Sequence, residues 1–347
     1  MKCIKCDRDV NKKDRTRDPR NPRCTGCKHP FVTEPADDHV TDRQVYNAVG
    51  AVSHGGMFFY LRRHLYYEVL RRHLRRIRRS RRWALFFLAL AVAGVVIHLI
   101  WEAAPLLFFA FVFAVIALVR GVDRFRVGRP IEEMLDRWAE VNPDEKLLTG
   151  PSRPNVKEAD ADSELGAASF DHVLICDRNE YVDFFLANLF HFHFSCPVLG
   201  VSGYPQDVFP DMIARLKENP NLRVFLVHDL TPDGLDLARK VKQDPQWFAD
   251  GSAEIIDLGL LRAHSQTLRK MLAPLSDIPD GKGGAGVRGR DERKWTELAA
   301  VSPDTLISLC AAGLRDGKPF PTPKRSVRRG SDAGFYVGGF GDSDGYG

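Results

Sequence analysis

The stretch VFLVHDLTPDGLDLA, residues 224–238, decides how the body of this chain folds. It opens as a run of apolar and β-branched residues and stops at His228-Asp229. It then turns through Thr231-Pro232-Asp233-Gly234 into a pattern with helical spacing. A strand buried on both faces needs such an unbroken apolar run, and strands of that kind belong to parallel sheets covered by helices. The flanking sequence repeats the alternation: HVLIC (172–176), PVLGVSG (197–203) and AEIIDLGL (253–260) read as strands. Between them, residues 180–190, 207–219 and 233–243 read as helices. Repeated β-α-β predicts an α/β domain with a parallel sheet over residues 169–275.

In open parallel sheets, ligands bind beyond the carboxyl ends of the strands. Two acids occupy that position, Asp177 after the first strand and Asp229 after the third. If these strands are neighbours, the carboxylates converge on one edge. They could then hold Mg²⁺ and polarise a phosphodiester, with Glu180, Thr231 or Asp233 as helpers. Alternatively, both aspartates are N-caps of the helices that follow, which requires no metal.

Over about residues 171–262 this pattern resembles the Toprim domain of the topoisomerase VI A subunit and its meiotic relatives. The resemblance rests on VLICDRNEYVDFFL, with Asp177 where that family usually has Glu, on VLGVSGYPQDV, on HDLTPDGLDLA, and on IIDLGL. In the third motif Asp229 matches the first acid of Asp-x-Asp-Pro-x-Gly, and Thr231 stands in place of the second. A degenerate Mg²⁺ site is what the resemblance implies. The family's DNA-cleaving members carry a tyrosine nucleophile on a winged-helix domain before the Toprim, and no such domain is legible here.

Upstream, CIKC and CTGC place Cys3, Cys6, Cys24 and Cys27 as two knuckles separated by 17 residues. Two thiolates from each tight turn complete a tetrahedral S₄ shell, so residues 1–37 are expected to be a zinc ribbon folded largely by its metal. His29 is a less favoured substitute ligand. Cys176, Cys196 and Cys310 sit in apolar contexts and read as core thiols.

Charge is unevenly distributed. Residues 1–82 hold 21 Lys and Arg against 9 Asp and Glu, whereas the whole chain is only +5. Thr41 and Gln44 make a capping box for a short helix, and Gly55-Gly56 interrupts it. A basic amphipathic helix then spans 58–82, with Phe58, Leu61, Leu65, Val69, Leu70, Leu74 and Ile77 on one face and ten arginines from Arg62 to Arg82. Such a helix meets anionic lipid or grips nucleic-acid phosphates.

The sequence that follows favours lipid. Residues 83–101 contain no Asp, Glu, Lys or Arg, and neither do residues 103–119. Glu102 and Pro105 mark a turn between two antiparallel spans, Trp83 and Trp101 take interfacial positions, and arginines flank both outer ends. The expectation is a transmembrane hairpin over 83–120 in the inner membrane, with both termini cytoplasmic. His98, near one end of the first span, reads as a neutral headgroup-level residue. Residues 121–168 read as a linker. Residues 276–347 read as mostly disordered with one or two short helices, the second opened by Ser302-Pro303. GKGGAG (281–286) matches G-x-G-x-x-G but lacks the preceding strand and following helix that cradle a phosphate. HFHF (191–194) reads as packing residues more readily than as a metal pair.

Two functions follow. One is a membrane-anchored binding or scaffold module for nucleic acid, nucleotide or protein. The other is a Mg²⁺-dependent, nuclease-like phosphoryl-transfer enzyme using Asp177 and Asp229.

Overall fold

The computed structural model describes residues 1–15, 22–34, 40–101, 109, 111–117, 131–150, 170–248, 253–261 and 296–320. At its centre lie four parallel strands, β3 (His172–Cys176), β4 (Val198–Gly200), β5 (Arg223–Val227) and β6 (Glu254–Asp257), in the order β4-β3-β5-β6. The apolar runs are continuous because both faces are covered. Leu174, Cys176, Phe225, Val227 and Ile256 enter one core, and Val173, Ile175, Val224 and Leu226 enter the other. The second core is closed by the helices Phe209–Lys217 and Leu237–Gln243 together with Trp247 and Phe248.

The first core draws on distant parts of the chain. Helix α1 (Lys12–Arg15) is a single turn, and helix α2 (Asp42–Val52) begins at Thr41 with the expected capping box. Helix α3 runs from Arg62 to Trp101, 40 residues and about 60 Å at 1.5 Å per residue. It starts later than the periodicity suggests, because Tyr60–Leu61 form a short strand β1 that pairs in parallel with β2 (Leu147–Leu148). His64, third in the helix, accepts the Leu61 N–H through Nδ1 at 3.0 Å, as a capping-box glutamate would. Burial holds its pKa down at about 3, so the ring stays neutral and can accept. Leu65, Tyr66, Tyr67, Val69 and Leu70 are buried beside the sheet. The side chains of Leu74 and Ile77 lie outside the described residues.

One expectation about boundaries fails because distant apolar residues complete the core. The expected linker contains a helix, Ile131–Val141, whose Met134, Leu135 and Trp138 are buried, as well as β2. Within the tail, expected to hold one or two short helices, lie a 3₁₀ turn, Leu298–Ala300, and the helix Pro303–Asp316, which starts at Ser302-Pro303, with Leu306, Leu309, Cys310 and Leu314 in the core. GKGGAG and Pro105 lie outside the described residues.

The basic and apolar segments, expected as separate elements, are one continuous helix. Beyond Arg82 its large apolar side chains face outward: Leu85, Phe86, Leu88, Val92, Val96 and Ile97 are exposed. Ala91 is buried, Ala84, Phe87 and Gly94 are half-buried at helical spacing, and Phe87 stacks on Phe113 of the helical residues 111–117 at 5.9 Å. Described side chains in this half end at Ile97. Among the described residues no helix is long and apolar enough to cross a membrane. The described structure therefore contains a packed apolar pair of helical segments but does not contain the expected spans.

Candidate functional site

Two knuckles position the four cysteines. In the first, Cys3 N–H donates to Arg8 O and Asp7 N–H to Cys3 O; in the second, Cys24 N–H donates to His29 O and Lys28 N–H to Cys24 O. Asp7 and Lys28 take left-handed φ values of 58° and 60° to close the two turns. The four sulfurs lie within 4.8 Å of one another, with Cys3–Cys27 and Cys6–Cys24 each 3.5 Å apart. A tetrahedral shell with Zn–S bonds of about 2.3 Å has edges of about 3.8 Å, so the donor set and its spacing fit zinc, while a disulfide would need about 2.05 Å. Burial pushes the Cys3 thiol up; at Cys24 burial is outweighed by the Cys27 and Gly26 N–H groups, which pull that thiol down toward the thiolate a metal needs. The four cysteines are thus arranged to hold a metal ion. His29 is not part of the group.

The second candidate lies at the carboxyl edge of the sheet. Strands β3 and β5 are neighbours with Cys176 opposite Val227, so Asp177 and Asp229 leave the sheet side by side. This is where the strand order reverses, the usual ligand crevice of such sheets. Here the crevice is filled by the chain itself. Asp177 Oδ2 accepts the Asp229 N–H at 2.9 Å, tying the two strand ends together. Asp229 Oδ1 accepts both Tyr181 OH and Leu298 N–H at 2.6 Å, and Tyr181 OH in turn accepts Ala299 N–H at 3.2 Å. Asp229 Oδ2 faces the Arg178 guanidinium, with Nε at 3.3 Å. The same guanidinium approaches Glu297 at 3.7 Å, and Arg63 of helix α3 approaches Glu297 from its other side at 3.8 Å. Asp229 is only 1% exposed.

Neither aspartate is an N-cap. Arg178 precedes the helix Asn179–Ala187 with no side-chain cap, and Thr231, not Asp229, caps the next helix by accepting Gly234 N–H at 3.1 Å. The Pro-Gly turn has a steric cause. A Cβ on Gly234 would lie 2.2 Å from Asp229 O, so only glycine lets the turn pass this close to the strand end.

The electrostatics follow from burial. Desolvation, with Asp177 as the next contributor, raises the Asp229 pKa to about 6. Burial likewise raises Asp177 and Glu297. Behind them, His228 is buried with Nδ1 donating to Asp229 O at 2.7 Å and Nε2 facing Asp257 Oδ1 at 3.0 Å. Burial works against its charge, but two acceptors on its two nitrogens raise its pKa overall and favour the imidazolium. A Cβ on Gly259 would fall 2.3 Å from that ring.

The edge does not suit Mg²⁺. A guanidinium already occupies the cation position beside Asp229, and among the described residues the cysteines alone form a group of three or more clustered ligand atoms. Of the expected helpers, Thr231 is a cap, Glu180 is exposed, and the Asp233 side chain is 97% exposed. His191 and His193 lie on a single helical turn, Phe190–His193, where residues two apart do not share a face. Sequence reasoning missed Arg63, Arg178, Tyr181, His228 and Glu297. Each sits in an ordinary helix or strand pattern, and only long-range pairing gives it a role.

Compared with known proteins, the chain matches no family model, no curated protein and no solved structure.

Proposed function

We propose that this chain is a membrane-anchored binding and scaffold protein of the cytoplasmic face, with a zinc ribbon and a degenerate Toprim-like domain that performs no chemistry. The observation that carries the reading is helix α3. Its first turns are buried in the core of the α/β body, and the same rod continues into a half whose large apolar side chains face outward. Such a surface, contiguous along a helix and its packed return segment, is a poor surface for water and a good one for lipid. The uncharged sequence runs from Trp83 to Trp101, and its described side chains, Trp83 to Ile97, cover about 22 Å of helix. The inward stripe of Ala84, Ala91 and Gly94 is the small-residue face that membrane helices use for close packing. Arginines in the sequence on both outer flanks support an orientation with both flanks in the cytoplasm, where the last of them meet anionic headgroups.

Three observations support a degenerate domain: neighbouring strand ends carrying Asp177 and Asp229, the turn at Pro232-Gly234, and the internal partners that hold Asp229 and Asp177 Oδ2. A carboxylate that is buried and already holds a guanidinium is a structural acceptor. The ribbon rests on the body through Asp7–Arg43 at 2.7 Å and through Asp42, which accepts Val32 and Thr33 N–H.

The test is alkaline carbonate extraction of membranes from cells expressing the full chain. The protein is expected to stay in the pellet, and a Leu88→Arg, Val92→Arg variant to move to the supernatant, because each arginine at mid-bilayer costs about 2.5–3.5 kcal/mol of insertion. Wild-type protein in the supernatant would refute the anchor.

A further inference from the structure

The arginines of helix α3 are stacked higher than a bilayer surface requires. With Trp83 at headgroup level, helical rise puts Arg79 about 6 Å, Arg75 about 12 Å and Arg72 about 16 Å further out. The headgroup layer is only about 5–8 Å thick on each side. An average tilt of about 20° shortens these heights by only about a twentieth. Nor can the upper arginines easily reach down. Side chains on an α-helix lean toward its N-terminus, and the N-terminus of α3 lies in the body, away from the lipid. Snorkelling therefore carries their guanidiniums further into water.

Among the described residues, the chain's acids do not neutralise the stalk beyond Arg72. Glu68 is the only acid between Arg62 and Trp101, and it is taken by Arg71 and Arg72, each at 2.7 Å. Among the described residues no acid pairs with Arg75, Arg79 or Arg82, and all three are exposed. They fall on one side of the helix at i, i+4, i+7. Like charges at this spacing destabilise a bare helix. Their accumulation points to a polyanion that approaches from the aqueous side and spans several positions along the rod. Residues 71–82 contain no Phe, Tyr or Trp. That removes the stacking platform single-stranded nucleic acid uses and leaves the phosphate backbone as the feature recognised.

We infer that the stalk above the headgroup layer, Arg75 and Arg79 with their neighbours, binds double-stranded nucleic acid through its phosphates, without sequence preference, and holds it close to the membrane. This inference rests on the membrane-anchored reading given above.

The experiment uses the full chain reconstituted in neutral phosphatidylcholine vesicles and a fluorescent DNA duplex of arbitrary sequence, titrated between 50 and 200 mM salt (about the range over which phosphate contacts are resolved). Binding that weakens linearly in log–log form is expected. Arg75→Gln with Arg79→Gln should lower affinity about tenfold and reduce the salt slope by about 2, while leaving the chain in carbonate-washed vesicles. Equal duplex binding by the variant would overturn the inference, and so would tighter binding of a single strand than of the duplex. Loss of duplex binding when phosphatidylglycerol is added would also overturn it, by assigning these arginines to headgroups. Vesicles that retain the chain yet bind no duplex sink the inference alone. Carbonate release of the wild-type chain sinks the anchor, and the height argument with it.

Discussion

Replacing Tyr181 with Phe removes one oxygen atom from the centre of the buried network and leaves the ring in place. That oxygen donates to Asp229 Oδ1 at 2.6 Å and accepts Ala299 N–H at 3.2 Å. A buried hydrogen bond to a charged group is worth about 1.5–3 kcal/mol, and an orphaned buried N–H costs about 1–3 kcal/mol. The expected loss is about 3–5 kcal/mol at pH 8, a large share of the 5–15 kcal/mol typical of a domain. The loss also depends on pH. Burial raises the Asp229 pKa to about 6 from the usual 3.8, so the folded state holds this proton more tightly than the unfolded chain. Wild-type stability therefore falls as pH rises from about 4 to about 6, by about 3 kcal/mol for this group. The Tyr181 hydroxyl is one of the influences that lower this pKa. Without it the pKa rises further and the fall extends to higher pH. The deficit of the variant should thus be about 1–2 kcal/mol smaller at pH 5, where the carboxyl is protonated and the hydrogen bond is an ordinary neutral one. Chemical unfolding in detergent micelles, followed by intrinsic fluorescence at pH 5 and pH 8, measures both numbers. A double-mutant cycle with Asp229→Asn isolates the pair. A cost below about 1 kcal/mol at pH 8, or one identical at the two pH values, would show that the carboxylate does not depend on this hydroxyl.

Other outcomes follow from the same geometry. Gly259→Ala drives a Cβ into the His228 ring and breaks its contact with Asp257; a loss of at least about 3 kcal/mol is expected in the same unfolding measurement, and a neutral result would mean that the ring is free to move. Arg178→Met removes the cation beside a fully buried carboxylate and should cost about 3–5 kcal/mol at pH 8 and less at pH 5, read by thermal unfolding. Purified protein should carry one zinc by elemental analysis. Cys24→Ser should lower that content to near zero and expose residues 1–34 to proteolysis, whereas the α/β body, whose two cores contain none of the four cysteines, should keep its unfolding transition.

Much of the fold was legible before any coordinate. Four apolar strands, the capping box at Thr41 and the helix start at Ser302-Pro303 all appear where local pattern puts them, because helix starts and buried-strand composition are short-range effects. The cysteine knuckles were legible for the same reason: each is closed by hydrogen bonds within six residues. The Ile131–Val141 helix was not legible: its apolar face is completed by distant parts of the chain, helix α3 among them, and a polar neighbourhood hid it.

Of the candidate site, the sequence supplied the placement of Asp177 and Asp229 at strand ends, and it left their role open between metal ligand and helix cap. Only the assembled structure showed a third arrangement, in which Arg178 and the segment carrying Glu297 and Leu298 occupy the crevice. The difference has a physical cause. The sequence by itself determined which residues are apolar, which turns need glycine or proline, and where thiolates and arginines concentrate, since these properties act over a few bonds. Which partner satisfies a buried charge is set by what the fold carries across from 48 to 69 residues away, because a desolvated carboxylate binds the nearest donors whatever their position in the chain.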